Sequence, residues 1–184
     1  MDILMLSDVY FPRVNGVSTS MQTFCRELVA LGHRVTIVAP DYGVAEADAE
    51  FEIVRLPSRQ IFFDPEDRLI RRSAARRIVP ELARESWDVI HVHTPFRAHQ
   101  IGVALARATR RPTVESYHTY FEEYVANYLP WFPTALLRAG VRRFSRRLCE
   151  SVDHLIVPTA EMANVLQGYG IRTPATVVPT GTLL

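Results

Sequence analysis

The sequence contains no lysine: all 21 of its basic residues are arginine. That excludes a Schiff-base lysine and the lysine of a phosphate-binding P-loop. Cysteine is scarce, with Cys25 and Cys149 alone. Two thiols build neither a cysteine-rich zinc site nor a disulfide framework. Each sits among apolar residues at helical spacing, the pattern of a buried thiol. Net charge is small, +1 over 184 residues, so no global field favours nucleic acid. No apolar run approaches the ~18 residues of a membrane span. Met1-Asp2 leads straight into a strand-like run without a basic, signal-like stretch, which points to a cytoplasmic protein and leaves membrane-surface association open. The patterns G-x-G-x-x-G and G-K-[ST] are both missing, which argues against a dinucleotide site or a P-loop.

What is present is the balance of a soluble globular domain, 48% hydrophobic and 22% charged. Short apolar runs alternate with amphipathic segments. Ile3-Leu4-Met5-Leu6 reads as a buried strand. Val17, Met21, Phe24, Leu28 and Leu31 then mark one helix face, capped by Ser18 and stopped by Gly32. Strands are expected at 35–39, 52–56, 89–93, 113–117, 155–157 and 176–178. Helices are expected at 98–108, 133–151 and from Thr159 to about Gly168. The Arg- and Ala-rich segment Asp67 to Glu85 reads as helical, broken or kinked at Pro80. This alternation implies a doubly wound α/β fold, a parallel sheet with helices on both faces. Ligands in such folds sit at the carboxyl ends of the strands.

Four features carry candidate chemistry. Asn15-Gly16 precedes a helix start, where free N–H groups favour an anion and a glycine lets it approach; a glycine placed only for a positive φ is the alternative. His91 and His93 lie two apart on a strand and share a face, with metal ligation together with His118 as one option. Glu115-Ser116-Tyr117-His118-Thr119-Tyr120 sets a histidine and several hydroxyls just past a strand, a composition suited to a sugar. Arginines cluster twice, at Arg68, Arg71, Arg72, Arg76 and Arg77, and at Arg138, Arg142, Arg143, Arg146 and Arg147. Beside the second cluster runs an expected apolar stripe of Leu137, Val141, Phe144 and Leu148. Such a helix can lie on an anionic bilayer or be a solvated outer face.

In their order along the chain, Ile3 to Pro12, Asn15-Gly16-Val17, Gly32-His33-Arg34-Val35, Asp88 to Pro95, Tyr117-His118-Thr119, Val157-Pro158-Thr159, Tyr169-Gly170-Ile171 and Val178 to Gly181 resemble the N-terminal domain of a family 4 retaining glycosyltransferase of GT-B architecture. The tyrosines and glutamates after His118 are most similar to lipid-modifying members, such as diacylglycerol glucosyltransferases and phosphatidylinositol mannosyltransferases. The resemblance implies an acceptor-side domain over residues 1–181. Residues 182–184 would begin a linker to a donor-binding domain, and the 184-residue chain alone would be inactive.

It further implies that Gly16, Asn15 and Thr119 serve the donor, a UDP- or GDP-hexose. His118 would hydrogen-bond the transferred sugar and support positive charge in the transition state. Asp8, Tyr10, His93 and Tyr117 would face a lipid or sugar acceptor. The five arginines of the second cluster would meet an anionic membrane surface. Neither a metal nor an organic cofactor is expected, nor a nucleic-acid partner. Competing readings are a soluble transferase with a sugar or small-molecule acceptor, a non-catalytic phosphate- or lipid-binding module, and a metal-dependent hydrolase using His91, His93 and His118.

Overall fold

The computed structural model describes residues 1–43, 51–61, 64–118 and 134–179. The elements are β1 (Asp2–Leu6), α1 (Gly16–Ala30), β2 (Arg34–Pro40), β3 (Glu52–Leu56), β4 (Ser58–Ile61), β5 (Asp64–Ile70), α2 (Arg72–Leu82), β6 (Val89–Val92), α3 (Arg97–Thr109), β7 (Thr113–Ser116), α4 (Thr134–Cys149), β8 (His154–Val157), α5 (Ala160–Gly168) and β9 (Ala175–Val177). Seven strands form one sheet in the order β3-β2-β1-β6-β7-β8-β9. Every pairing in it is parallel. The strand order reverses beside β1, so the ends of β1 and β6 flank a topological switch point, where α/β sheets bind ligands.

Strand alternation splits the core in two. Leu4 and Leu6 of β1 join Ile78 and Leu82 of α2 and Ile101 and Leu105 of α3 on one face. Ile3 and Met5 join Met21 and Cys25 of α1 on the other. Both faces of the sheet are therefore covered, as the near-continuous apolar character of β1 requires. A third cluster packs Tyr117, Cys149, Leu155, Met162 and Leu166 between the last strands and α4 and α5. Gly102 lets α3 press onto the sheet: a Cβ there would lie 2.5 Å from Val92 Cγ2 and 3.2 Å from Leu6 Cδ1.

Three local expectations are corrected. Residues 67–70 extend β5, which pairs antiparallel with β4, and the helix begins only at Arg72. The Asp67–Ile70 stretch is charged but carries Leu69 and Ile70, and pairing with Ser58 to Gln60 overrides its helical composition. Pro80 sits inside α2, two residues before its end, instead of breaking it; in a last turn it removes only one helical hydrogen bond. Asn15, not Ser18, is the N-cap of α1. Its side chain accepts from Ser18 N while Ser18 Oγ accepts from Asn15 N, each at 2.9 Å, a reciprocal capping box. Gly32, at φ +81°, ends α1 as expected, with Gly32 N bonded to Val29 O and His33 N to Leu28 O.

Candidate functional site

Three segments meet at the switch point: the loop from β1 to the start of α1, the turn from β6 into α3, and the end of β7. They enclose a cavity of about 190 Å³ lined by Asn15, Val17, His93, Thr94, Pro95, Phe96 and the run Glu115 to His118. The capping box fixes Asn15 at its rim. Gly16 is the first residue of α1, and a Cβ on it would meet nothing within 4 Å. Its φ is not positive, so the left-handed-turn alternative falls and an open approach to the helix start remains. No acidic residue occupies the first turn of α1, leaving its positive end available to an anion.

The histidines form a row. His91 on β6 and His93 just past its end have ring centroids 4.0 Å apart, and His93 and His118 follow at 5.5 Å. His91 Nε2 bonds Ser116 Oγ at 2.8 Å, and His93 Nδ1 meets His118 Nε2 at 3.2 Å. Three of the ring nitrogens are thus engaged with Ser116 and with one another, and among the described residues no group of three ligands is placed to hold a metal. Burial drives all three rings toward the neutral form, aided at His91 and His93 by the neighbouring imidazoles: His91 falls to about 3, His118 to about 4, and His93 well below its usual range. His118 is the more open of the pair, and its Nδ1 bonds no described residue.

Asp8 and Tyr117, expected to face an acceptor, both have partners inside the domain, and Tyr117 also lines the cavity. The buried Asp8 carboxylate accepts from Thr94 Oγ1 (2.8 Å), Arg97 N (3.0 Å) and Ala98 N (3.1 Å), and so holds the start of α3. Burial raises its pKa, and those donors oppose the rise. The Tyr117 hydroxyl lies 3.0 Å from Ser145 Oγ beneath α4, and burial pushes it up. Tyr10 is buried edge-on against Phe11, with the Arg55 guanidinium over its ring. Thr119 lies outside the described residues.

Sequence spacing gave no sign of a chain formed by Ser151, His99 and Glu115. Ser151 Oγ is 2.9 Å from His99 Nε2, and His99 Nδ1 is 3.0 Å from Glu115 Oε2. The order is that of nucleophile, base and acid. However, Ser151 Oγ and Ser151 N both bond the Leu148 carbonyl, at 2.7 and 3.1 Å, just past the negative end of α4. A helix carboxyl end disfavours an oxyanion, so the chain acts as a clamp tying α4 to α3 and β7. It joins residues from three segments more than a dozen apart, which no local pattern could reveal.

The arginines of α4 divide. Arg142 lies over the Tyr169 ring at 5.3 Å, and Arg146 pairs with Glu150 at 2.8 Å. Arg143 and Arg147, joined by Arg107 of α3, line a groove of about 970 Å³. Phe144 stands exposed between them, not in the expected apolar stripe; Ser145 is buried in its place. Arg138 is exposed, and the Leu137 side chain lies outside the described residues.

Residues 14–182 match Glycosyltransferase Family 4. The chain belongs to this family. The family 4 chain is 31% identical over 183 residues to an alpha-monoglucosyldiacylglycerol synthase of Streptococcus pneumoniae, covering 98% of this chain and 40% of that protein. It is 29% identical over 175 residues to a GDP-mannose-dependent alpha-mannosyltransferase of Mycobacterium tuberculosis, covering 92% and 44%. It thus spans less than half the length of these relatives. In fold, it superposes on a sucrose-phosphate synthase of Thermosynechococcus elongatus with a TM-score of 0.59 at 15% identity, covering 99% of this chain and 90% of that one. Among the described residues no helix of the family 4 chain is long and apolar enough to cross a membrane.

Proposed function

We propose that this chain is the acceptor-side half of a retaining hexosyltransferase. The whole enzyme moves a hexose from a UDP- or GDP-sugar to a hydroxyl of a membrane lipid, on the cytoplasmic side. The observation carrying this reading is that the open start of α1 at Asn15-Gly16 and the imidazole of His118 come together at one cavity on the switch point. The helix start suits a donor phosphate. His118, neutral at physiological pH, suits the sugar: an uncharged ring beside developing oxocarbenium character does not repel it. The rate gain then comes from holding two substrates in line and stabilising that charge, without a metal or organic cofactor.

The lipid acceptor is supported by the relative that is named an alpha-monoglucosyldiacylglycerol synthase and by the exposed pair of Phe144 and Arg143 beside the groove. A soluble acceptor is the second reading, favoured if the basic face of α4 binds no vesicles. The deciding experiment is His118→Ala in the full-length enzyme. A loss of kcat of about 100-fold or more, the size of one preorganised hydrogen-bonding group, is expected; unchanged kcat and KM for the donor would remove His118 from the site.

A further inference from the structure

His93 is almost fully buried, at 2% exposure, yet one of its ring nitrogens, Nε2, has no hydrogen-bond partner. Its other nitrogen, Nδ1, lies 3.2 Å from His118 Nε2. The two rings are within 18° of parallel with centroids 5.5 Å apart, so they meet edge to edge, with one nitrogen of each facing the other. Two neutral imidazoles in that geometry share one proton, and its owner fixes the tautomer of both rings.

Only two arrangements exist. In one, His118 donates from Nε2, and His93 must carry its proton on Nε2. That leaves a buried N–H with no acceptor within reach. Unpaired buried N–H groups are rare because nothing in an apolar environment replaces the lost acceptor. In the other, His93 donates from Nδ1, and its Nε2 carries only a lone pair, an unmatched acceptor that buried sites tolerate better than an orphaned N–H. The second arrangement leaves His118 with its proton on Nδ1, the nitrogen that bonds no described residue, on a ring that lines the cavity.

We infer that His93 is a positioning residue that sets the tautomer of His118, so that His118 presents an N–H donor to the cavity. The ligand atom at that point is then an acceptor oxygen, of a sugar hydroxyl or a phosphate, and not a hydroxyl proton. What His118 meets rests on the glycosyl-transfer reading above; the tautomer itself does not.

The test is long-range nitrogen–proton correlation spectroscopy of the histidine-labelled 184-residue chain near pH 7.5, without ligand. His93 and His118 are both expected to show a protonated Nδ1 and a bare Nε2. His93→Asn places an amide N–H₂ where the ring Nδ1 stood and is expected to keep the His118 Nδ1–H form. His93→Asp places an acceptor-only group where the ring Nδ1 stood, and a proton on His118 Nε2 is then expected. His91, with its own bond to Ser116, reports in every spectrum whether the site is folded. A wild-type His118 protonated on Nε2, or a mixture of the two forms, would overturn the inference whether or not the variants fold. If the spectra agree but His118→Ala leaves turnover intact, the tautomer assignment stands and the functional reading fails.

Discussion

Three histidines in a row make the candidate site sensitive to acid. His118 is lowered to about 4 and His91 to about 3, mainly by burial, and His93 is lowered too. In the unfolded chain each titrates near ~6.5. Between that value and the folded ones, the unfolded chain binds protons that the folded chain refuses. Stability is therefore fully present above about pH 7 and falls as pH drops toward 4, by up to ~1.4 kcal/mol per pH unit for each such histidine. The buried carboxyls of Asp8 and Glu115 work in the opposite direction. Their pKa values are raised by burial, so they protonate earlier in the folded state and blunt the loss at the acid end. Urea midpoints measured from pH 8 to pH 4 should decline, and His91→Phe should flatten the decline; a flat wild-type profile would contradict the burial of the row.

At the scale of elements, close packing and surface charge make separate predictions. Helix α3 reaches the sheet only because position 102 has no side chain. Gly102→Ala is expected to cost about 1–3 kcal/mol, as overpacking does, because Val92 and Leu6 belong to a filled core. Chemical denaturation would read that loss, and an unchanged midpoint would mean that α3 stands off further than described. On α4, Arg143 and Arg147 are exposed and spend no charge on a described carboxylate. Reversing both to glutamate should leave stability within about 0.5 kcal/mol, as for ordinary surface changes. The same double variant should abolish salt-sensitive co-sedimentation with anionic vesicles. Wild-type protein that stays in the supernatant at low salt would favour a soluble acceptor.

For the molecule as a whole, the proposed function makes the candidate site one wall of a cleft. The cavity is small, about 190 Å³, against the ~300–1,000 Å³ of typical ligand pockets, and a nucleotide-sugar needs more enclosure than it offers. The relatives run to more than twice the matched length. Purified on its own, the 184-residue chain is expected to show no hexose transfer from UDP- or GDP-sugars, and measurable turnover by it would mean that one wall suffices.

How much of this was legible in the sequence depended on the range of the interaction. The parallel sheet, the strand ends and the helix starts follow from period and punctuation: the apolar run of β1, the face from Val17 to Leu31, the Asn15-Gly16 helix entry and the Thr159 cap. These are local signals, fixed by backbone sterics and by one buried face. The β4–β5 hairpin was missed because pairing with Ser58 to Gln60 outweighs the weak helix propensity of residues 67–70. Phe144 was misplaced because a 3.6-residue period allows either of two neighbouring positions to face inward, and packing chose Ser145, whose hydroxyl meets that of Tyr117. His118 and Asn15 could be singled out by position, but their meeting, the edge-to-edge bond to His93 and the Ser151–His99–Glu115 clamp could not. By itself the sequence determined the parallel strands, the helices between them and which residues stand at the strand ends, but not the β4–β5 hairpin. Only the tertiary structure decided which polar groups face the cavity and which, like the Asp8 carboxylate and the Tyr117 hydroxyl, are consumed in bonds inside the domain, because a buried hydrogen-bond partner is chosen by spatial neighbours and not by chain neighbours.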